Sequence, residues 1–238
     1  WVLLLFAGYA AYYWISNRVD DPLTGQKVLI DQSITPDDEK ALGLQAWTEL
    51  QQTEQVLPPT DPNAKAVTQT ADALIPNIAA LSDALAAEHN MKAPHIERTF
   101  DWETNLIQSD QVNAFCLPGG KMAVYTGLLP VAKNADAMAV VMGHEIAHAL
   151  LRHGSQRMAQ QKLVQMGQMA AGMAMGGMDP GQQQAIMAAL GAGAQYGLIL
   201  PYGRNHETQA DKVGLMLAAA ACYNPQEAIA LWQRMSEL

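Results

Sequence analysis

The chain has 238 residues, half of them apolar, so it is long enough to bury a sizeable core and is not a disordered protein. Its formal net charge of −9 and pI near 5.0 argue against a nucleic-acid-binding protein, which would present a basic face. Two cysteines are too few for a disulfide framework. We expect one sizeable domain with an appendage and no nucleic-acid partner.

The segment over residues 1–16 carries no charged side chain. As a helix of fifteen residues it would be about 22 Å long, short of the ~30 Å hydrocarbon core of a bilayer. The chain begins with tryptophan rather than methionine, so we expect further residues upstream. Tyr12, Tyr13 and Trp14 beside Arg18 are typical of an interfacial aromatic belt. The segment predicts a membrane helix that is truncated at its start, with a buried core helix or a signal-peptide segment as the alternatives.

Residues 17–35 are polar and contain proline and glycine, which predicts a linker before a domain over residues 36–238. Thr35 and the proline and acidic residues after it predict a helix over 36–53. An apolar stripe predicts a second helix over residues 63–88.

The middle of the chain has the composition of β-structure. Residues 96–102 and 111–117 are rich in strand formers, and Pro118-Gly119-Gly120 predicts a turn into a strand over 121–126. From residue 135 onward the pattern is helical again. The expected class is therefore α+β, mostly helical, with a small antiparallel sheet.

Residues 158–199 are dominated by alanine, glycine, glutamine and methionine, and contain seven of the thirteen methionines. Methionine side chains adapt to irregular apolar partners. Two interpretations stay open: a pair of packed helices around a turn at residues 176–181, or a mobile flap or apolar patch.

The strongest chemical signal is the segment His144-Glu145-Ile146-Ala147-His148. Residues four apart share one face of a helix, so the two imidazoles can bind one Zn²⁺ ion. Glu145 lies one position round the helix, where it can accept a proton from a zinc-bound water that attacks a peptide carbonyl. This pattern predicts a zinc peptidase centre, and the alternative is two incidental surface histidines.

A third zinc ligand has to come from elsewhere in the chain. His153 lies nine residues after His144, on the opposite side of a continuous helix, so we exclude it as a ligand. We expect it near the end of that helix, with Gly154 as the stop signal.

Glu207 is the best third ligand, because Asp211 follows it by one helical turn and shares its face. Asp211 could then accept the ring N–H of a ligand histidine without touching the metal. His206 is an alternative ligand, and a solvated helix face is the alternative interpretation of Glu207.

Six segments together resemble a known family: Asp21-Pro-Leu-Thr-Gly25, Glu39-Lys-Ala-Leu-Gly43, Asn113 to Gly120, Tyr125 to Leu129, His144 to His148, and Glu207 to Asp211. They are similar to segments of the membrane-associated zinc metallopeptidases that include the CAAX prenyl endopeptidase and the HtpX heat-shock protease. The similarity runs through most of the chain from about residue 21. It is closest to the bacterial periplasmic and mitochondrial inner-membrane branch of that family, and within it to the single-pass or periplasmic bacterial members.

The resemblance implies a gluzincin (zincin-like) fold with one Zn²⁺ per chain and Glu145 as the general base. The implied metal ligands are His144, His148 and Glu207. It also implies an exposed edge strand that pairs with an extended polypeptide substrate. The substrate-binding residues would be Asn113, Ala114 and Phe115.

The chain departs from the family pattern at several points. It has no histidine after His206 and ends before a Ser/Thr-His-Pro loop of the relatives, so we expect its C-terminal end to be truncated. Cys116 and Cys222 replace small residues of the relatives, which suggests a disulfide between them. Only one membrane segment is visible, against several in the prenyl endopeptidases.

The sequence therefore predicts a zinc metalloendopeptidase that hydrolyses extended or misfolded envelope proteins, a role in protein quality control. The N-terminal helix would anchor it by a single pass in a bacterial inner membrane. Few basic residues follow that helix, which favours a periplasmic catalytic domain. The alternative is a membrane-anchored chaperone or assembly factor with a latent zinc site.

Overall fold

The computed structural model describes residues 1–195 and 199–237, and it is mostly helical with two small sheets. The helices are α1 (Val2–Ser16), α2 (Pro36–Thr53), α3 (Pro62–Leu74), α4 (Ile78–Glu88), α5 (Leu129–Ala132), α6 (Ala135–Leu150), α7 (His153–Ala174), α8 (Pro180–Ala194), α9 (Leu200–Ala220) and α10 (Glu227–Ser236). The strands are β1 (Arg18–Asp20), β2 (Lys27–Leu29), β3 (Glu103–Ile107), β4 (Ala114–Leu117) and β5 (Lys121–Tyr125). The predicted α+β class with a largely helical content is confirmed.

The chain divides into two compact units. The first unit comprises Trp1–Asp21, Gln26–Ser33 and His153–Glu207. The second unit comprises Pro22–Gly25, Ile34–Arg152 and Thr208–Leu238.

The sheet of the second unit has the strand order β3-β5-β4. β5 is the central strand with a partner on each edge, and it is buried at every position. β4 and β5 form the predicted hairpin, and Gly119 and Gly120 adopt φ values of +90° and +88° in its turn.

The prediction of a wholly antiparallel sheet is wrong for β3, which pairs with β5 in parallel. The strand predicted over residues 96–102 is also misplaced. His95 adopts φ +50° and is followed by a 3₁₀ turn over Ile96–Thr99, so the extended segment starts only at Glu103.

The predicted helix over residues 36–53 is confirmed as α2. Thr35 and Asp38 form a reciprocal capping box at its start, which satisfies backbone N–H groups that a helix end leaves unpaired. The helix predicted over 63–88 is divided into α3 and α4 by a 3₁₀ turn at Ile75–Asn77. Pro76 has no backbone N–H, so it cannot continue the α-helical hydrogen bonds there.

The second unit has a large apolar core, to which α3, α4, α6, α9, α10 and the sheet contribute. Several of its large side chains are essentially inaccessible to solvent: Leu74, Ile78, Leu106, Met122, Met142, Ile146 and Leu217. Burying one such side chain is worth roughly 1.5–3 kcal/mol, so packing is the main source of stability in this unit.

The first unit contains α1, α7, α8 and the antiparallel pair β1–β2, in which Arg18 faces Leu29. Its apolar cluster is small, with Tyr13, Leu29 and Ala159 as its buried members. The region predicted as a linker, residues 17–35, contains this strand pair.

A polar network centred on Asp31 also lies in the first unit, and Asp31 is only 5% exposed. Its carboxylate accepts hydrogen bonds from Tyr13 Oη (3.0 Å), Lys162 Nζ (2.5 Å) and Ser33 Oγ (2.6 Å). Burial alone would raise the pKa of Asp31, but the bonds from Lys162 and Ser33 outweigh it and hold the pKa well below its usual value.

Residues 2–16 are helical as predicted, but the membrane-spanning role expected of residues 1–16 has no support. Within residues 1–195 and 199–237, no helix combines the length and the apolar character needed to cross a bilayer. Several apolar side chains of α1 are exposed, among them Leu4, Leu5 and Ile15.

The methionine-rich segment forms two helices, α7 and α8, on either side of a turn. This agrees with the first of the two interpretations of residues 158–199. Residues 196–198 of that segment lie outside the described residues, and a mobile flap stays a prediction.

Candidate metal centre

The candidate site begins with α6, the helix that carries the two histidines. Asn134 caps its start by accepting a hydrogen bond from the Ala137 N–H at 2.8 Å. The helix ends at Leu150, and Arg152 adopts φ +53° just beyond it. The expectation that Gly154 stops this helix is therefore wrong, because His153 already starts α7.

Two glycines let α6 and α9 approach each other closely. A Cβ atom on Gly214 would lie 2.6 Å from the backbone nitrogen of His144, and one on Gly143 would lie 2.7 Å from the Gly214 carbonyl oxygen. Any larger residue would force the two backbones apart. The close approach brings Asp211, one turn before Gly214, beside His144.

The side chains of the two histidines and Asp211 form a connected group. The Nδ1 atom of His144 lies 2.9 Å from Asp211 Oδ1, and its Nε2 atom lies 3.0 Å from His148 Nε2. With the Nδ1 hydrogen donated to Asp211, the Nε2 lone pair of His144 points toward His148. Asp211 thus has the position predicted for a carboxylate that orients a ligand histidine.

Glu207 lies close to both histidines. Ligand atoms of His144, His148 and Glu207 all lie within 4.8 Å of one another. Both histidines are half-buried, whereas Glu207 is exposed. The sequence-predicted ligand set is therefore together in space.

This donor set fits a zinc ion. Two nitrogens bound at about 2.05 Å to one tetrahedral Zn²⁺ lie about 3.3 Å apart, close to the 3.0 Å between the two Nε2 atoms. Two imidazoles and one carboxylate are also the ligand types of a catalytic zinc site with a fourth position for water or substrate.

His206, the alternative ligand, has its side chain elsewhere. It is 2% exposed, and its Nε2 atom lies 3.0 Å from Gln156 Oε1. Within the described part of the chain, the group of residues able to hold a metal contains Glu207 rather than His206.

Glu145 is half-buried on α6, and its carboxylate is close enough to Cys116 on β4 to influence that thiol. Burial, and then the negative charge of Glu145, raise the pKa of the Cys116 thiol well above its usual value. Cys116 is therefore a neutral thiol beside the predicted general base.

The suggested disulfide between Cys116 and Cys222 is not formed, since both are free thiols. Cys116 is half-buried against the core of the second unit. Cys222 is exposed beyond the end of α9 and adopts φ +65°. The two side chains thus lie in different environments.

The predicted substrate-binding residues lie just before and at the start of β4, an edge strand of its sheet. Asn113 is exposed, and its carbonyl accepts a hydrogen bond from the Tyr125 N–H at 3.0 Å. Ala114 is buried, and Phe115 packs edge-on against the Tyr125 ring with centroids 6.1 Å apart.

Two contacts, one made by α6 and one by the residues that follow it, were not predicted from the sequence. The Trp232 ring of α10 lies 6.2 Å from the His144 ring and meets it edge-on. The guanidinium of Arg152, just after α6, binds Glu39 of α2 through two bonds of 3.2 and 2.6 Å. Neither pair has a spacing that periodicity or a motif could detect, because each joins distant parts of the chain.

Comparison with known proteins finds sequence similarity to several metalloendopeptidases. The chain is 38% identical over 134 residues to the mitochondrial metalloendopeptidase OMA1 of Schizosaccharomyces pombe. This match covers 56% of this chain and 37% of the relative. It is 32% identical over 150 residues to the mitochondrial metalloendopeptidase OMA1 of Homo sapiens, covering 62% of this chain and 28% of the relative. It is 30% identical over 131 residues to the β-barrel assembly-enhancing protease of Escherichia coli. This match covers 51% of this chain and 25% of the relative.

The chain thus matches well under half the length of each of these relatives. They agree with the metallopeptidase part of the resemblance, while the finer assignment to the bacterial branch near the prenyl endopeptidase and heat-shock protease stays a prediction. The profile of peptidase family M48 matches residues 74–238, which include α6, β4 and α9. The chain belongs to peptidase family M48, a family of metallopeptidases.

Proposed function

We propose that this protein is a zinc-dependent endopeptidase with Glu145 as its general base. The observation that carries the proposal is the convergence of His144, His148 and Glu207, whose ligand atoms lie within 4.8 Å of one another beside Glu145. A protein that only binds polypeptides needs neither this donor set nor an adjacent carboxylate.

His144, His148 and Glu207 would hold the ion, and Asp211 would keep the His144 ring in the orientation that presents Nε2. A bound Zn²⁺ ion supplies Lewis acidity, which polarises a carbonyl and lowers the pKa of water. The Glu145 carboxylate accepts the proton of the attacking water and returns it to the departing amine nitrogen.

The edge strand β4 is the proposed place for the substrate backbone. An extended peptide beside it would form main-chain hydrogen bonds of the β-sheet type, which give affinity without sequence specificity. Cys116 packs toward the main core, whereas Phe115 and Leu117 pack toward the cluster around Trp47. Successive substrate side chains would therefore face alternate sides of the sheet.

The test is cleavage of casein, a loosely folded substrate, by wild type and Glu145→Gln with zinc content measured in both. We expect zinc in both proteins and a 10²–10⁴-fold lower rate in the variant, the usual contribution of a general base. Glu88→Gln, at an exposed position on α4, serves as the control and should behave as wild type. Zinc without cleavage in wild type would favour a binding protein, and equal rates in wild type and Glu145→Gln would exclude Glu145 as the base.

We also propose extended or misfolded envelope proteins as substrates and the periplasmic side of a bacterial inner membrane as the location. The name of the Escherichia coli relative, β-barrel assembly-enhancing protease, supports envelope proteins as the substrate class. The exposed apolar side chains of α1 support contact with an apolar surface. Flotation of the protein with lipid vesicles tests this contact, and Leu4→Ser with Leu5→Ser should abolish it.

A further inference from the structure

A cluster of buried polar and aromatic side chains lies at the start of α9, next to Glu207 in sequence. His153, Gln156 and His206 are each at most 2% exposed. Buried polar groups destabilise a fold unless they are held in specific contacts. We call His153 and His206 the histidine pair; Gln156 and Tyr202 are its neighbours. None of these residues takes part in the chemistry proposed above.

The contacts of the histidine pair fix the orientation of the His206 ring. The rings of His153 and His206 are stacked, with centroids 4.1 Å apart and planes inclined by 12°. His206 Nε2 donates to Gln156 Oε1 at 3.0 Å, and the Tyr202 ring meets the His206 ring edge-on at 5.0 Å. Three neighbours thus hold one imidazole from different directions.

The orientation of the His206 side chain also determines the direction in which Glu207 points. Adjacent residues of a helix point about 100° apart, so fixing the direction of His206 about the axis of α9 also fixes that of Glu207. Glu207 is the eighth residue of α9 and its side chain is exposed, so burial of that side chain does not fix its orientation. A small rotation of the helix start would move its carboxylate away from the two ligand nitrogens.

The connection to the other ligands along the chain is short. His153 starts α7 only five residues after His148, and it stacks on the residue that precedes Glu207. We infer that His153 and His206 are positioning residues that aim the Glu207 carboxylate at the metal, an inference that rests on the proposed zinc function. Neither imidazole touches the metal or the substrate in this account.

The experiment measures Zn²⁺ affinity by competition with a chelator for wild type, His153→Ala and His206→Ala. We expect each variant to bind Zn²⁺ about 10–100-fold more weakly, the usual effect of removing a group that orients a ligand. His206→Gln keeps an N–H donor within reach of Gln156, so it should recover much of the affinity. His89→Ala removes an imidazole outside the pair and should match wild type.

The visible spectrum of the Co²⁺-loaded proteins provides a second readout, because it reports the ligand set and not the amount of folded protein. A changed spectrum in His206→Ala with the wild-type spectrum in His206→Gln supports the inference. Affinities within threefold of wild type with unchanged Co²⁺ spectra in both alanine variants would overturn it. Failure of the proposed function looks different, since wild type itself would then bind no zinc or cleave no casein.

Discussion

The two units of the molecule are stabilised in different ways. In the second unit, helices and sheet bury large aliphatic side chains such as Leu217 and Ile146, and two glycines allow direct backbone contact. In the first unit the apolar cluster is small, and the charged and hydroxyl groups around Asp31 connect α1 to α7.

The two kinds of interaction should respond to different perturbations. Apolar packing is insensitive to pH and responds to lost volume, whereas a buried carboxylate network responds to protonation and to the loss of any partner. The network around Asp31 should therefore be sensitive to acid and to charge substitutions, and the apolar core of the second unit to truncated side chains.

The largest expected effect is on the core of the second unit. Leu217→Ala removes a fully buried side chain, so we expect the free energy of unfolding to fall by about 2–5 kcal/mol. Leu42→Ala, at a position that is 51% exposed, should change it little. Urea denaturation measures both, and hydrogen exchange should show the loss in α3 and α6. If protection against hydrogen exchange fell in α1 and α7 and not in α3 and α6, the assignment of Leu217 to the core of the second unit would be contradicted.

The corresponding change in the first unit is Asp31→Ala, which leaves Tyr13 and Ser33 without their shared acceptor. We expect a loss of about 1–3 kcal/mol, because Lys162 is half-exposed and can be solvated again. Hydrogen exchange should rise in α1 and α7. Asp20→Ala removes an exposed ion pair with Lys27 and should cost less than about 1 kcal/mol. If Asp31→Ala cost no more than Asp20→Ala, the network around Asp31 would not be a main source of stability in the first unit.

The glycine contact provides a third test. Gly214→Ala places a Cβ 2.6 Å from the His144 backbone nitrogen, so α6 and α9 must separate, at a cost of about 1–3 kcal/mol. Because Asp211 is on the same helix, zinc affinity should fall as well. Gly172→Ala, where a Cβ would meet open space, is the matched control. Unchanged zinc affinity in Gly214→Ala would show that the close approach does not position the site.

The smallest expected effect is on the pH dependence of stability. The pKa of Asp31 in the folded protein is held below its usual value, so the ionised carboxylate stabilises the fold above about pH 3.9, and this contribution is lost as pH falls through the folded pKa. Wild type should therefore lose stability between pH 5 and pH 2 more steeply than Asp31→Asn. Parallel curves from urea denaturation at each pH would contradict this expectation.

Local patterns in the sequence predict the structure of this chain best. The capping box at Thr35 and the spacing of His144 and His148 follow from neighbouring residues, and both have the predicted structure. The parallel pairing of β3 and the contact between Arg152 and Glu39 join distant segments, so no local pattern could reveal them.

Errors at element boundaries have equally specific causes. The α6 helix was predicted to extend to His153, but Arg152 adopts a left-handed conformation that ends it early. The position of His153 was therefore missed, and with it the stacking on His206. The convergence of Glu207 with the histidines could be expected only from the helical spacing of Glu207 and Asp211 together with the family resemblance.

The most direct test of the central claim is the zinc stoichiometry and affinity of wild type beside Glu207→Ala, His144→Ala and His148→Ala. We expect one zinc ion per chain in wild type and an affinity more than about 100-fold weaker in all three variants, a larger loss than removal of an orienting group causes. Wild-type affinity in Glu207→Ala, with loss in both histidine variants, would show that the third ligand is a different residue. Absence of zinc from wild type would contradict the metal centre as a whole.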